Sequence, residues 1–467
     1  MEHPYGWLSL APPLTAIALA IVTRRAALSL LAGLACGALL TERGDVSAAV
    51  VDLCEVHLWP TLTDPGKLRV FSFTLLMGAL IGVLDASGGM RGFVRMISPL
   101  ARSRRSGQLT VWGTGMALFF DDYANTVLLG GTFRPLCDRL RIAREKLARL
   151  VDSTAAPVAG VALLATWVAV ELEDLQEGIA SIGAVTELTP FDLFIASIPY
   201  RFYVLGTLLL VPLIAWSGRD FGPMLAAERR AARTPEGADD GVPSALRDAH
   251  WLVAVVPIVT TLAVTIALMV STGRSALRAA GVYDGAPLPW REFLGAANAS
   301  LALQYGALVG LLTAGAITLA LRLLDWPGLW RAAGAGALVI LPAIAILWTA
   351  SSLSRMTGGK SVTGEVSFDA DGVETYAFQR HRLYTGDYLS RLLTGRNSDP
   401  PSAAAEAEAA LRWLPTVVFL LASAVSFCTG TSYGTMGLLT PLAISVTYTL
   451  LQARGGPVSP DDPLLLA

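Results

Sequence analysis

The fold is decided by Trp112–Pro135, which reads WGTGMALFFDDYANTVLLGGTFRP. This stretch is apolar on both sides of an acidic pair, Asp121 and Asp122. A carboxylate at the depth of a lipid bilayer costs about 2.5–3.5 kcal/mol on insertion scales, so such acids mark functional sites by default. The glycines and small polar residues around the pair are typical of broken or closely approached backbone inside a membrane protein. The stretch therefore predicts the ion-binding centre of a secondary transporter.

The composition of the whole chain predicts an all-α polytopic membrane protein. Its 467 residues are 53% hydrophobic and 15% charged, whereas soluble domains are about 25% charged. Many apolar runs approach or exceed the roughly 18 residues of a candidate spanning helix. The basic residues lie in separate short loops, so the sequence gives no support for a nucleic-acid partner. The four cysteines and four histidines are scattered, which indicates no resident metal centre, disulfide framework or cofactor.

Charge on either side of the deciding stretch predicts that it does not cross the membrane. Arg91–Arg105 before it and Arg134–Arg149 after it are both strongly basic, and basic loops lie in the cytoplasm. Gly107–Phe133 therefore enters from the cytoplasm and turns back near Phe119–Asp122. Two limbs of about 13 residues reach roughly 20 Å, which is past the midplane of a bilayer but not across it. The turn would place the two carboxylates at the centre of the membrane.

A second glycine-rich interruption indicates an inverted repeat. Trp413–Leu451 is mainly apolar but is interrupted by Cys428–Gly437, and it predicts a second hairpin. Val70–Leu84, which runs inward, precedes the first hairpin, and Ala332–Leu353, which runs outward, precedes the second. Such inverted repeats of secondary transporters place re-entrant hairpins or broken helices at the midplane.

The predicted division of the chain has four parts. These are an N-terminal helical hairpin and external loop (1–69), a first transport repeat (70–216), a cytoplasmic linker (217–249) and a second, incomplete repeat (250–467). Within the first repeat, Leu150–Val170 is predicted to span outward. The acidic segment after it, from Glu171 to Glu187, is predicted to be an external loop.

The predicted site holds cations by oxygen atoms. Asp121 and Asp122 would bind a transient Na+ or a proton at the same carboxylate oxygens; their structural alternative is a helix cap or a pair with an arginine. Further candidate ligands are Asn125, Thr126, Asp152, Ser153, Thr154, Thr429, Thr431 and Ser432, and supporting residues are Arg201, Gly113, Gly115 and Thr435. Asn125 and Thr126 could equally make helix–helix hydrogen bonds, and Asp152 could equally be an acid favoured at a helix N-terminus. Arg201 could pair with a site carboxylate or snorkel.

Three segments carry a resemblance to a known family. They are FFDDYANTVLLGGTFRPLCDRLRIAREKLARLVDSTAAPVAG (Phe119–Gly160), SIPYRFY (Ser197–Tyr203) and TGTSYGTMGLLTPL (Thr429–Leu442). The chain resembles the NhaC-type Na+/H+ antiporter family of the ion transporter superfamily. The resemblance implies exchange of Na+ for H+ across a bacterial plasma membrane. Family members continue past the second hairpin, so the chain is expected to be truncated at its C-terminus.

Other functions remain open at this stage. An antiporter of an organic anion or amino acid could use the same scaffold. An intramembrane aspartyl hydrolase would need two facing aspartates, for which Asp122 and Asp152 are the candidates. A passive channel would need a continuous polar face on several helices, and the sequence shows only two broken segments. The predicted partners are the lipid bilayer, Na+ and H+; a homodimer is left open.

Overall fold

The computed structural model describes residues 4–119, 122–162, 165–182, 189–233, 250–281, 290–357, 366–368, 374–376, 381–393, 400–429 and 432–454. These residues form two compact units, each built from separate parts of the chain. Unit 1 comprises Met1–Leu68, Val170–Tyr200 and Pro342–Ala467, and unit 2 comprises Arg69–Ala169 and Arg201–Leu341. The predicted division into four consecutive parts remains a prediction, because compactness does not test a repeat.

The described residues are almost all helical. The first helices are α1 (Ala11–Thr23), α2 (Ala26–Thr41), α3 (Val46–Asp52), α4 (Trp59–Thr63), α5 (Pro65–Ala86), α6 (Gly89–Ile97), α7 (Arg104–Ala117), α8 (Asp122–Thr132), α9 (Arg134–Arg139), α10 (Arg144–Thr154) and α11 (Ala156–Ala159). The later helices are α12 (Thr166–Ile182), α13 (Pro190–Ser197), α14 (Phe202–Ser217), α15 (Gly222–Arg233), α16 (Leu252–Ala279), α17 (Trp290–Gly295), α18 (Ala299–Ala320), α19 (Trp326–Thr357), α20 (Thr385–Leu393), α21 (Pro400–Thr429) and α22 (Ser432–Arg454). A short antiparallel ribbon pairs β1 (Val366–Phe368) with β2 (Glu374–Tyr376).

Eight helices in the described part of the chain are long and apolar enough to cross a membrane. They are Gly6–Thr23, Pro65–Ala86, Phe202–Arg233, Leu252–Ala279, Ala299–Ala320, Trp326–Thr357, Ala404–Phe427 and Gly434–Leu451. Apolar residues of this number fit the roughly 20 that a spanning helix needs. The prediction of an all-α polytopic membrane protein is confirmed.

The span predicted over Leu150–Val170 is interrupted in the structure. Helix α10 ends at Thr154, and α11 is a single turn before α12 begins at Thr166. The backbone at Ala155 has φ −81° and ψ −91°, outside the helical region, and Pro157 lacks the N–H that a continuing helix would use. The prediction of one continuous span is therefore wrong.

The first part of the acidic segment that follows lies in helix α12, which ends at Ile182, where an external loop was predicted; Glu187 lies outside the described residues. Glu173 lies in α12 and pairs with Lys67, with Nζ and Oε1 3.4 Å apart, and both side chains are largely buried. Asp174, the next residue, is only 2% exposed. The prediction of solvent exposure rested on charge alone. In the structure, Lys67 pairs with Glu173, and Asp174 is buried within unit 1.

The two hairpins differ in length. In the first hairpin α7 has 14 residues and α8 has 11, so its limbs are about 21 and 17 Å long. In the second hairpin α21 has 30 residues and α22 has 23, and Leu411 of α21 packs near Leu450 of α22. Limbs of that length exceed the roughly 30 Å of a hydrocarbon core. Only the first hairpin therefore has the short limbs of a re-entrant element.

The predicted linker begins with an element that docks on the base of the first hairpin. Glu228 of α15 is buried, pairs with Arg104 at the start of α7, and accepts a hydrogen bond of 2.8 Å from the backbone N–H of Ala143. Lys146 of α10 pairs with Asp220, and both side chains are largely buried. These contacts fix the entry to α7 and α10 relative to one another.

Within unit 2, α5 and α19 approach each other through glycines. A Cβ atom on Gly82 would lie 2.3 Å from the carbonyl oxygen of Ala332, and one on Gly336 would lie 2.1 Å from the carbonyl oxygen of Gly78. Small residues at four-residue spacing let helix backbones approach closely in membranes. The pattern Gly78–Gly82 on one helix and Ala332–Gly336 on the other therefore explains the packing of this pair.

Replacing Gly336 should destabilise the protein, whereas the same change two residues earlier should not. Gly336→Ala forces two backbones apart, and overpacking of this kind costs about 1–3 kcal/mol. Gly334 on the same helix has open space around its Cβ position, so Gly334→Ala should keep or raise the melting temperature, because alanine favours helix. Thermal unfolding in detergent measures both. Equal melting temperatures for the two variants would contradict the close-packed interface.

Candidate functional site

The first hairpin is closed by one side chain, Asn125. Its Nδ2 donates a hydrogen bond of 2.9 Å to the carbonyl oxygen of Gly115. In a continuous helix these two residues would be about 15 Å apart along the axis, so α7 and α8 are not one continuous helix. The turn predicted near Phe119–Asp122 includes Phe120, which lies outside the described residues, and it stays a prediction. Asp121, predicted as one of the two central carboxylates, lies outside the described residues.

The same amide group binds a second interrupted helix. Nδ2 of Asn125 also donates a hydrogen bond of 2.8 Å to the carbonyl oxygen of Thr154, the last residue of α10. Carbonyl groups in the last turn of a helix lack the usual intrahelical partner. Gly115 lies in the last turn of α7, where its carbonyl oxygen also accepts from the N–H of Leu118, so Asn125 bonds to acceptors at two helix ends at once. Three broken elements, α7, α8 and α10, thus meet at this residue.

The remaining polar atom of Asn125 is an acceptor with no partner. The side chain is 0% exposed, and its Oδ1 makes no hydrogen bond with any residue that the structure describes. A buried group without its hydrogen bond costs about 1–3 kcal/mol. Both N–H donors are already used, so the amide orientation is fixed and the oxygen is left to bind a cation or to accept from a hydrogen-bond donor.

Asp122 lies on the same face of α8. It is the first residue of the helix and is half-buried, with Oδ1 shielded from solvent. Residues three positions apart on a helix are neighbours, so Asp122 and Asn125 present their oxygens on one side. The positive end of the helix dipole favours a negative group at this position. A carboxylate and a fixed amide oxygen together form a set of hard oxygen ligands.

The hydroxyls of α10 are used locally. Thr154 is 0% exposed, and its Oγ1 lies 3.1 Å from the carbonyl oxygen of Leu150, to which it donates. Ser153 is also buried and donates to the carbonyl oxygen of Arg149. Thr154 reaches the site through its backbone carbonyl, not through the hydroxyl that the sequence suggested.

Two predicted ligands are not brought to Asn125. Thr126 is exposed. The Asp152 side chain is 73% exposed, and its Oδ2 lies 3.6 Å from the guanidinium of Arg149. Successive helical residues point about 100° apart, so Asp152, two positions before Thr154, leaves the helix about 200° away from it. The alternative of an acid favoured at a helix N-terminus does not fit either, because Asp152 lies in the last turn of α10.

Arg201 supports the broken region from the neighbouring helix. It precedes α14, and its Nη1 donates a hydrogen bond of 2.5 Å to the carbonyl oxygen of Gly160. Gly160 caps the single turn α11. Arg201 therefore donates to a carbonyl oxygen at the C-terminal end of a helical turn, where a positive charge is favoured.

The second predicted set of hydroxyls belongs to unit 1. Thr429 ends α21, Ser432 begins α22 and Thr435 is buried one turn later. Thr431 lies outside the described residues. A coordinating role for this set stays a prediction.

The sequence interpretation missed a buried acid in unit 1. Asp174 is 2% exposed, and a Cβ atom on Gly437 of α22 would lie 3.7 Å from its Oδ1. Gly178, one turn later on α12, also packs on α22, where an added Cβ would meet Ile444. The spacing Val170, Asp174, Gly178 places all three on one helix face. That periodicity was the available signal, but the run of acids obscured it.

Comparisons with known proteins point to one class. The model of the Na+/H+ antiporter family matches residues 158–365. An uncharacterized protein of Haemophilus influenzae is 27% identical over 444 residues, covering 94% of this chain and 77% of its own length. The crystal structure of the Alcanivorax borkumensis YdaH transporter, described as having an unusual topology, aligns with a TM-score of 0.50 and 17% identity over 88% of this chain and 75% of that chain. The predictions of a multi-pass transporter, and not an enzyme, are confirmed.

Gly115 should be far less tolerant of substitution than Gly113. A Cβ atom on Gly115 would lie 2.0 Å from Oγ1 and 2.5 Å from Cβ of Thr154, whereas Gly113 has open space. Gly115→Ala should separate α7 from α10, lengthen both hydrogen bonds of Asn125 and lower the melting temperature by several degrees. Gly113→Ala should behave as wild type. Thermal unfolding and transport assays of both variants test this prediction. A Gly115→Ala variant with the melting temperature and transport rate of the wild type would show that α7 and α10 do not touch.

Proposed function

We propose that this membrane transporter of the Na+/H+ antiporter family exchanges Na+ for H+ across a bacterial plasma membrane, with both ions binding at Asp122 and Asn125. The observation that carries the proposal is the buried Oδ1 of Asn125, which has no hydrogen-bond partner among the described residues. Both donors of the same amide are held by carbonyl groups. The oxygen is thus fixed in place for a ligand.

The ligand chemistry favours a small hard cation. Carboxylate, amide and carbonyl oxygens are the groups that bind such ions in proteins. Asp122 supplies a carboxylate, Asn125 supplies the amide oxygen, and the carbonyl of Thr154 keeps a second lone pair after accepting from Asn125. Asp121, adjacent in sequence, belongs to the proposed set as a second acid.

Competition at one carboxylate would couple the two ions. A proton and Na+ bind the same oxygens of Asp122, so binding of either ion weakens binding of the other. Linkage makes this effect reciprocal. A protein that opens to one side of the membrane at a time would then carry one ion outward only after releasing the other, which is antiport.

The rival functions are weakened by different observations. A hydrolase using Asp122 and Asp152 conflicts with the transporter family match and with the 73% exposure of Asp152. An organic-anion antiporter needs a cationic or donor-rich pocket. The described part of the first hairpin instead offers acceptor oxygens at Asp122 and Asn125.

Removing the charge of Asp122 should abolish most coupled flux. In proteoliposomes, an inward Na+ gradient should drive proton movement by the wild type. Asp122→Asn should lower this flux at least about tenfold, because interactions with a charged group contribute about 1.5–3 kcal/mol. Asp121→Asn is measured in parallel. Asp152→Asn, an identical change at an exposed acid on α10, serves as the matched control and should retain wild-type flux.

The same assay separates the rivals. Undiminished flux in both Asp121→Asn and Asp122→Asn would contradict the site. A wild type that moves protons only when a dicarboxylate or amino-acid gradient is imposed, and not with Na+, would replace the proposal by organic-substrate antiport. Loss of flux in Asp152→Asn alone would move the site to the exposed side of α10.

A further inference from the structure

Four titratable side chains from distant parts of unit 1 converge outside the hairpins. Glu42 follows the end of α2, Asp52 is the last residue of α3, and His57 lies in a π-helical turn, Leu53–Leu58. His381 begins the segment that leads into α20. Asp52 and His57 are each 4% exposed, and Glu42 is 8% exposed. π-Helical turns are rare and occur frequently at functional sites.

The polar atoms of Glu42, Asp52 and His381 lie close together, and His57 approaches Asp52 from its other carboxylate oxygen. Nδ1 of His381 lies 2.6 Å from Oδ1 of Asp52 and 3.6 Å from Oε1 of Glu42. Nε2 of His57 lies 3.4 Å from Oδ2 of Asp52. The ligand atoms of Glu42, Asp52 and His381 are all within 4.8 Å of one another. Asp52 is therefore the central member, with a histidine on each carboxylate oxygen.

The close approach of His381 to Asp52 is not aligned as a hydrogen bond. Oδ1 of Asp52 and Nδ1 of His381 are buried, and neither forms a hydrogen bond with any described residue although they lie 2.6 Å apart. Buried polar atoms are normally paired. Atoms that converge without donor–acceptor alignment fit ligands around a shared cation better than they fit a hydrogen-bonded network.

We propose that Glu42, Asp52 and His381 bind a divalent transition-metal ion of the Zn2+ class, with His57 beside the other carboxylate oxygen of Asp52. Zn2+ binds imidazole nitrogen at about 2.0–2.1 Å and carboxylate oxygen at about 2.0–2.2 Å, usually with four tetrahedral ligands. Tetrahedral bonds of that length separate neighbouring ligand atoms by about 3.3–3.5 Å. The 3.6 Å separation of Nδ1 of His381 from Oε1 of Glu42 is close to this value, whereas the 2.6 Å separation of Nδ1 of His381 from Oδ1 of Asp52 must lengthen when an ion binds between them.

The donor set selects a different ion from that of the hairpin. Imidazole suits Zn2+, Cu2+, Ni2+ and iron, whereas Na+, Mg2+ and Ca2+ are bound by oxygen alone.

Neighbouring residues orient the proposed ligands and leave the cluster accessible to an ion from solvent. Oγ1 of Thr41 donates a hydrogen bond of 3.3 Å to Oδ2 of Asp52, and such partners orient metal-binding carboxylates. His381 is 39% exposed, so an ion can reach the cluster from solvent. The segment after His381 is held by the bond from the N–H of Leu383 to the carbonyl oxygen of Met356. A bound ion would join this segment to the turns that hold Glu42, Asp52 and His57.

The test uses the full-length chain in detergent, without a polyhistidine tag and after dialysis against a chelator. Zn2+ titrated by calorimetry should bind at one ion per chain and raise the melting temperature, since a ligand of the folded state stabilises it. Co2+ should produce the visible absorption of a tetrahedral site. His381→Gln should weaken Zn2+ binding by more than about 100-fold, because loss of even outer-shell partners costs about 10–100-fold.

A matched variant makes the result specific. His250 is exposed beside Trp251 and lies away from the cluster in sequence and in its contacts, so His250→Gln should bind Zn2+ like the wild type. Glu42→Gln keeps the shape of the side chain and serves as the second variant if His381→Gln folds poorly. Size-exclusion chromatography checks its folding, and the Co2+ absorption should be lost. Absence of a Zn2+-dependent shift in the wild type, or equal affinity in wild type and His381→Gln, would overturn the site. Transport by the same samples is measured separately and is not used to judge it.

Discussion

The geometry of the first hairpin depends on two hydrogen bonds made by one amide group, that of Asn125. Inside a membrane protein, carbonyl groups at broken helix ends cannot turn to water, and each unsatisfied group costs several kcal/mol. Asn125 meets this requirement for Gly115 and Thr154 at once. Because its donors are committed, its oxygen has one orientation. The two hydrogen bonds that join the broken helix ends therefore also determine where the amide oxygen of Asn125 points.

Glycine placement explains how three helix segments reach one side chain. Gly115 has no room for a Cβ atom because Thr154 occupies that volume, while Gly113, one half-turn away, faces open space. The same contrast separates Gly336 from Gly334 on α19. A glycine in these helices is thus required where another element touches it and is replaceable elsewhere. Glycine count alone does not distinguish the two cases, but the contacts do.

Sequence reasoning worked where local charge and hydrophobicity decide the outcome. The helix break before Asp122 was predicted from the basic segments on both sides of the stretch, and the helix–helix hydrogen bonds of Asn125 were one of the two roles predicted for it. Reasoning failed where distant residues decide. The burial of Asp174 depends on α22, and the exposure of Asp152 depends on which side of α10 faces α7.

The convergence of histidines shows the same limit most clearly. His57 and His381 are isolated in sequence, and no local spacing links either one to Asp52. Only folding of unit 1 brings them to opposite oxygens of one carboxylate. Metal-binding patterns recognised in sequence rely on ligands a few residues apart, so a site assembled from a helix end, a π-helical turn and a returning segment gives no such pattern.

The two proposed sites would separate two kinds of cation chemistry by the atoms they offer. In the hairpin, the described ligand atoms near Asn125 are oxygens, and a carboxylate that also takes a proton would suit an ion that must leave in every cycle. Beside Asp52, the imidazole of His381 adds a nitrogen ligand, which raises affinity for transition metals and would suit an ion that stays. A transporter of a weakly bound ion gains nothing from nitrogen ligands at its transport site, because tight binding slows release. The difference in donor type therefore argues that the two clusters serve different ions.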